Sequence, residues 1–150
     1  MRLVIQRVTK ASVAVEGVLI NEIGQGLMIL VGIETGDTLE DVKWIAAKTV
    51  KMRIFNDSAG VMNLYLLDID GEVLAISQFT LTASTKKGNR PSYIRAAKPQ
   101  EAEKLYLEYC TELFELTGKE TKKGVFGADM KVNLINDGPV TIIIDSRLRE

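Results

Sequence analysis

EVLAISQFTLTAST, spanning Glu72 to Thr85, is the stretch on which the reading of this chain turns. Val73–Ile76 is an ordinary apolar strand core, and then Ser77, Gln78, Thr80, Thr82, Ser84 and Thr85 arrive almost together. The pattern predicts a strand over Glu72–Thr82. Successive side chains of a strand point to opposite faces, so Ser77, Phe79 and Leu81 would share one face, with Gln78, Thr80 and Thr82 on the other. Two readings of the hydroxyls stay open. They could bind a polar substrate at an exposed strand end, or, since threonine is a good strand former, simply cover a solvated face.

Working outward, the same paired-strand logic recurs. Leu3, Ile5 and Arg7 alternate with Val4, Gln6 and Val8 at the strand period. Ser12–Val15 and Val18–Ile20 flank Glu16-Gly17 as a hairpin. Leu27–Ile33 follows the Gly24–Gly26 turn as a nearly continuous apolar run, the signature of a strand buried on both faces. Leu64–Leu67 is expected to pair with Glu72–Leu81 through a turn at Asp68–Gly71. Met130, Val132 and Leu134 alternate as a further strand. Asn136–Pro139 is turn chemistry, and Val140–Asp145 is expected to return as another strand.

Two helices interrupt the strands. Thr38 caps the first, with Asp41 in its first turn and an apolar face through Leu39, Val42, Ile45, Thr49 and Met52 out to about Arg53. Pro99 opens the second in the first-turn position that proline favours, and Gly118 stops it. Strands outnumber helices and most connections are short. The expected fold is therefore α+β: a single domain over residues 1–150, with a curved, barrel-like, mostly antiparallel or mixed sheet and two principal helices.

Composition narrows the chemistry. The chain has 150 residues, 46% apolar and 26% charged, the profile of a globular domain able to bury a core. No apolar run approaches the ~20 residues of a membrane span, and the N-terminus lacks the apolar block of a signal peptide. A cytoplasmic protein is the expectation. Histidine is absent and Cys110 is the only cysteine. Ser-His-Asp and Cys-His catalysis are thereby excluded within the chain, as are imidazole zinc sites, and no clustered Asp/Glu motif points to a metal. Cys110 sits in helical periodicity with Leu105, Tyr109, Leu113 and Leu116 and reads as packing. No glycine spacing makes a dinucleotide or phosphate loop, so no cofactor is expected. A threonine or serine nucleophile would need a lysine, a carboxylate or a substrate group as its base. Backbone N–H groups at a strand end could instead stabilise an oxyanion.

The net charge of −1 argues against a generally basic nucleic-acid binder. Locally the balance differs. From Ala83 to Lys98 the chain carries Lys86, Lys87, Arg90, Arg95 and Lys98 with no acid. This segment is either a solvated polar loop or a patch that meets phosphates.

SQFTL at Ser77–Leu81 and NDGPVT at Asn136–Thr141 resemble the paired signatures of the D-aminoacyl-tRNA deacylases. MRLVIQRVTKASVAVEG, IGQGLMILVGI, NLYLLDIDGEVLAISQFTL, KKGNRPSY and FGADMKVNLINDGPVT look like the family in the same order, nearly end to end. The resemblance implies a cytosolic homodimer that hydrolyses the ester between a D-amino acid and the terminal adenosine of tRNA. It also implies removal of glycine from mischarged alanine tRNA. In such proteins the segment matching Ser77, Gln78, Phe79 and Thr80 lines the pocket for the terminal adenosine and aminoacyl group. The Gly138-Pro139 bond would be cis and reach across the dimer into the partner's pocket, rejecting L side chains sterically. From composition and turn chemistry alone, cis is the minority form. Arg7 and Met130 match positions that surround and support that loop. Lys86, Lys87 and Arg90 become candidate contacts for acceptor-stem phosphates. Thr82, Ser84 and Lys122–Gly124 depart from the usual family pattern. A non-catalytic module that grips the acceptor stem is the competing reading, and an editing domain inside a synthetase complex is a third.

Overall fold

Period-two alternation in the first fifteen residues builds the longest strand pairing of the molecule, that of residues 2–15 with 130–145. The computed structural model describes residues 1–149, with eight strands and two α-helices. Strand β1 (Arg2–Val15) is bonded antiparallel to three partners. On one edge its first half pairs with β3 (Gly26–Gly32) and its second half with β2 (Val18–Ile23). On the other edge β8 (Met130–Asp145) runs along its whole length. Beyond β3 lie β6 (Glu72–Ser77) and the short β7 (Lys122–Lys123), both added in parallel. β4 (Phe55–Asn56) and β5 (Met62–Leu64) form a separate small ribbon. Helices α1 (Leu39–Lys51) and α2 (Pro99–Thr117) complete the fold. This is the expected α+β architecture: a mixed sheet nearly closed into a barrel, with two helices. No helix among the described residues is long and apolar enough to cross a membrane.

Alternation sorts the strand residues into two cores. Leu3, Ile5, Leu27, Ile29, Val31, Val73 and Ala75 face the helices, meeting Ile45 and Val50 of α1 and Tyr106, Tyr109 and Leu113 of α2. Val8, Val13, Met28, Leu74 and Ile76 point the other way, into the barrel, against Met130 and Val132. β3 and β6 thus bury both faces, which is why they read as unbroken apolar runs and pair in parallel across a helical connection. Helix α1 starts after Thr38 as expected, and there Asp41 Oδ2 accepts from the Thr38 N–H at 2.9 Å and from its hydroxyl at 3.1 Å. Tyr109 and Thr49 join the helices by a buried hydroxyl bond of 3.0 Å.

Three expectations need correction. The strand over Glu72–Thr82 ends at Ser77, and Phe79–Thr82 is instead a turn of 3-10 helix. The hydroxyls themselves favour that turn. Thr82 Oγ1 donates to the Phe79 carbonyl at 2.8 Å, and the Gln78 amide donates to Thr80 Oγ1, so local bonds replace the ladder. Second, Leu64–Leu67 does not pair with β6. Both edges of β6 are taken by β3 and β7, so Met62–Leu64 pairs with Phe55–Asn56 instead. Third, Asn136–Pro139 does not reverse the chain into a hairpin. Both flanking halves of β8 continue in one direction along β1, and the ladder passes from Val8↔Asn136 to Gln6↔Thr141. Four residues, Asp137–Val140, therefore bulge out opposite the single residue Arg7.

The 3-10 turn lies directly on β3. A Cβ placed on Gly32 would stand 2.8 Å from Leu81 Cβ and 3.2 Å from the Gln78 carbonyl oxygen. Gly32→Ala should therefore lift the turn and lower stability by about 1–3 kcal/mol, an overpacking cost. Urea unfolding would show a lower midpoint with little change in slope. An unchanged midpoint would mean that the turn is free to move.

Candidate active site

Parallel strands β3 and β6 finish side by side, with Val31 opposite Ser77. Beyond them the chain leaves the sheet and opens a cavity of about 310 Å³. Ser77, Gln78 and Phe79 form one wall, and Phe126–Met130 form the other. Tyr106 of α2 supports the floor, its hydroxyl donating to the Ala75 carbonyl at 2.8 Å. Burial pushes that phenol well above its ordinary range, so it stays protonated and keeps donating. Asp129, the charged residue of the lining, is paired with Lys131 at 3.0 Å.

The turn is fixed by its ends. The Gln78 N–H bonds to the Val31 carbonyl at 2.7 Å, which extends the parallel ladder by one step. At the far end Arg2 Nη1 donates to the Leu81 carbonyl at 3.0 Å, and Arg95 donates to the Thr82 carbonyl at 3.3 Å. Asp145 holds Arg2 at 2.8 Å, while the buried Glu34 carboxylate lies 3.5 Å from Arg95. Cations at carbonyl ends and free amides at the other suit the peptide dipoles of the turn. The N–H groups of Phe79 and Thr80, the first two of the turn, have no acceptor among the described residues. Thr80 Oγ1 accepts from Gln78 Nε2, and no ionisable side chain bonds to it among the described residues. The arrangement therefore offers main-chain donors, not a side-chain nucleophile with a base.

The other sequence candidates sit elsewhere. Met130 joins the pocket wall. Gly138 and Pro139 do not: they are exposed at the tip of the bulge, joined by a cis bond. Arg7 holds that bulge. Its buried guanidinium donates from Nε to the Asp137 carbonyl at 2.8 Å and from Nη1 to the Ile54 carbonyl at 2.7 Å. Gly138 has φ +144°, and a Cβ there would stand 2.7 Å from Val140 Cγ2, so only glycine fits. Lys86, Lys87 and Arg90 are exposed on a hairpin loop closed by Ser84 and Ser92, whose N–H groups each donate to the other's carbonyl at 2.9 Å. Sequence reading gave no role to Tyr106, Phe126 or Arg2, and it placed Arg95 in the basic run and not at the end of the turn. The order FGADM was visible, but nothing local shows that it faces Ser77.

A mixed, nearly closed barrel with two helices sets the fold class, and the comparisons give the family. The family model described as D-Tyr-tRNA(Tyr) deacylase matches residues 4–145. The D-aminoacyl-tRNA deacylases of Flavobacterium johnsoniae and Bacteroides thetaiotaomicron are each 57% identical, over 100% of both chains. A solved structure described as a c-Myc DNA unwinding element binding protein superposes with a TM-score of 0.92 at 38% identity, covering 97% of this chain and 98% of that one. Another, described as a probable eukaryotic D-amino acid tRNA deacylase, reaches a TM-score of 0.82 at 15% identity over 95% and 97%, a likeness of fold. The chain belongs to the D-aminoacyl-tRNA deacylases, hydrolases that act in translation proofreading.

Cys110 lies outside this site, packed within α2. Burial pushes its thiol up to about 12, so at neutral pH it is a protonated core group. Iodoacetamide at pH 8 should leave the folded protein unlabelled and label it fully in urea, and Cys110→Ala should retain hydrolysis. Rapid labelling of the native state would contradict the buried placement.

Proposed function

We propose that the Ser77–Thr80 wall receives the terminal adenosine ester of D-aminoacyl-tRNA and that hydrolysis relies on main-chain donors. The observation that carries this reading is the pair of unpartnered amides at the start of the turn, that of Phe79, which lines the pocket, and that of Thr80, the next residue along. They can bond the oxyanion of the tetrahedral intermediate, whose charge develops only as water attacks. The neighbouring 2′-hydroxyl of the ribose supplies the polar group that this histidine-free chain lacks. Thr80, held by Gln78, positions the ester. Ser77, Gln78 and Phe79 shape the wall, with Met130 opposite.

Selectivity is assigned to the exposed bulge. The partner subunit's Gly138 and Pro139 enter the pocket, and their carbonyls leave no room for an L side chain, so discrimination works by exclusion. Glycine, with no side chain to exclude, would pass, including glycine on alanine tRNA. This requires a homodimer. Its support is that Gly138 and Pro139 do not line their own chain's pocket and stand exposed on a bulge that Arg7 holds. Lys86, Lys87 and Arg90 meet acceptor-stem phosphates, which give affinity but little sequence information. No bound metal is invoked, and the reaction belongs in the cytoplasm, with charged tRNA.

A second reading, a non-catalytic nucleic-acid module, draws on the basic hairpin and on the DNA-binding description of the 38% identical relative. It expects salt-dependent tRNA binding without turnover.

Hydrolysis of D-aminoacyl-tRNA should exceed that of the L form by orders of magnitude and persist in a chelator. Equal rates on both enantiomers from a folded dimer would overturn the exclusion mechanism, and binding with no turnover would favour the second reading. Thr80→Ala should keep most of the activity, whereas an acyl-enzyme on Thr80 trapped for mass spectrometry would show it to be a nucleophile. Sedimentation should find a dimer; an active monomer would remove the cross-subunit filter.

A further inference from the structure

We propose that Phe79, Tyr93 and Ile94 form a stacking subsite for the unpaired nucleotide that precedes the terminal adenosine. This rests on the reading that the Ser77–Thr80 wall receives that adenosine. Phe79 lines the pocket and touches Tyr93, Ile94 is the next residue of the chain, and all three side chains remain in water: Phe79 is 58% exposed, Tyr93 39% and Ile94 88%. Phe79 and Tyr93 contact edge to face, with ring centroids 5.0 Å apart and planes at 67°. That geometry leaves a ring face open for a further flat group.

The platform is held in place on both sides. Ser84 and Ser92 close the hairpin just before Tyr93. After it, the Ala96 N–H donates to the Tyr93 carbonyl at 2.9 Å, and the Thr35 N–H donates to the Arg95 carbonyl at 2.9 Å. Tyr93 and Ile94 are therefore displayed by an anchored turn, not by a loose tail.

Charge identifies the occupant. The same hairpin raises Lys86, Lys87 and Arg90, and no acid lies between Ala83 and Lys98. Aromatic faces beside cations form the surface that single-stranded nucleic acid uses, its bases stacking while its phosphates meet the cations. The cavity, about 310 Å³, suits one nucleoside ester, so the preceding nucleotide has to lie outside it, on the rim where Phe79 and Tyr93 stand.

The test uses two D-amino acid esters, one of adenosine alone and one of a single-stranded trinucleotide ending in adenosine. The measured quantity is the ratio of kcat/KM for the longer ester to that for the shorter. Wild type should prefer the longer ester. Tyr93→Ala should lower this preference about five- to a hundredfold, mainly through KM, the range expected for loss of one stacked base. Tyr93→Phe should keep it. Ile94→Ser, at the most exposed position of the three, should also lower it and provides the test if Tyr93→Ala does not fold. An unchanged ratio in both truncated variants, with both esters still hydrolysed, would overturn the subsite and leave the active-site reading standing. Conversion of the Tyr93→Ala dimer to monomer would make the patch a subunit interface and also overturn it. Wild type hydrolysing neither ester would overturn the active-site reading and the subsite together.

Discussion

The molecule depends on one constraint: β1 is hydrogen-bonded along both edges, with β8 taking one edge over its whole length. A ladder that long has to stay in register, because a one-residue slip would turn every core side chain to the wrong face. Yet four residues of β8 stand opposite Arg7 alone. They can only loop outward. The guanidinium beneath them is buried, and a buried charge is tolerated when its donors are satisfied. The carbonyls of Asp137 and Ile54, with the Asp137 carboxylate at 3.3 Å, meet that need. Loop and arginine therefore fix each other, and Gly138-Pro139 stands at the tip of a braced projection.

The second framework is the parallel pair β3–β6. Buried on both faces and covered by α1 and α2, it ends abruptly where Val31 meets Ser77. Strand ends leave main-chain groups without ladder partners. Here the 3-10 turn uses some of them, two arginines cap its carbonyl end, and its first two amides have no acceptor among the described residues. The chemistry of the site is thus a property of how a strand terminates. That is consistent with a chain that has no histidine and whose single thiol is locked in the core.

Much of this was legible in the sequence, and the failures are instructive. Alternation in Leu3–Val8, the Glu16-Gly17 hairpin, the two-faced burial of Leu27–Val31 and both helix ends at Thr38 and Gly118 all follow from local rules that the structure obeys. Three errors share one cause. Whether Thr80 continues a strand, whether Leu64–Leu67 pairs with β6, and whether Asn136–Pro139 reverses the chain each depend on which edges are already occupied. Edge occupancy belongs to the assembled sheet. Turn-forming residues such as Asn136, Asp137 and Gly138 signal a departure from regular strand equally well whether the chain then reverses or resumes.

The sequence by itself determined the two-layer burial pattern, the helix limits, the absence of imidazole chemistry and the clustering of cations between Lys86 and Lys98, because periodicity and composition are local. Tertiary structure alone decided that Ser77–Phe79 faces Phe126–Met130, that Arg2 and Arg95 close the far end of the turn, and that Arg7 lies under the bulge. These contacts join residues from 13 to 130 positions apart. They exist because hydrogen-bond satisfaction and core burial are met by the whole sheet at once, a condition that no short stretch of the chain can express.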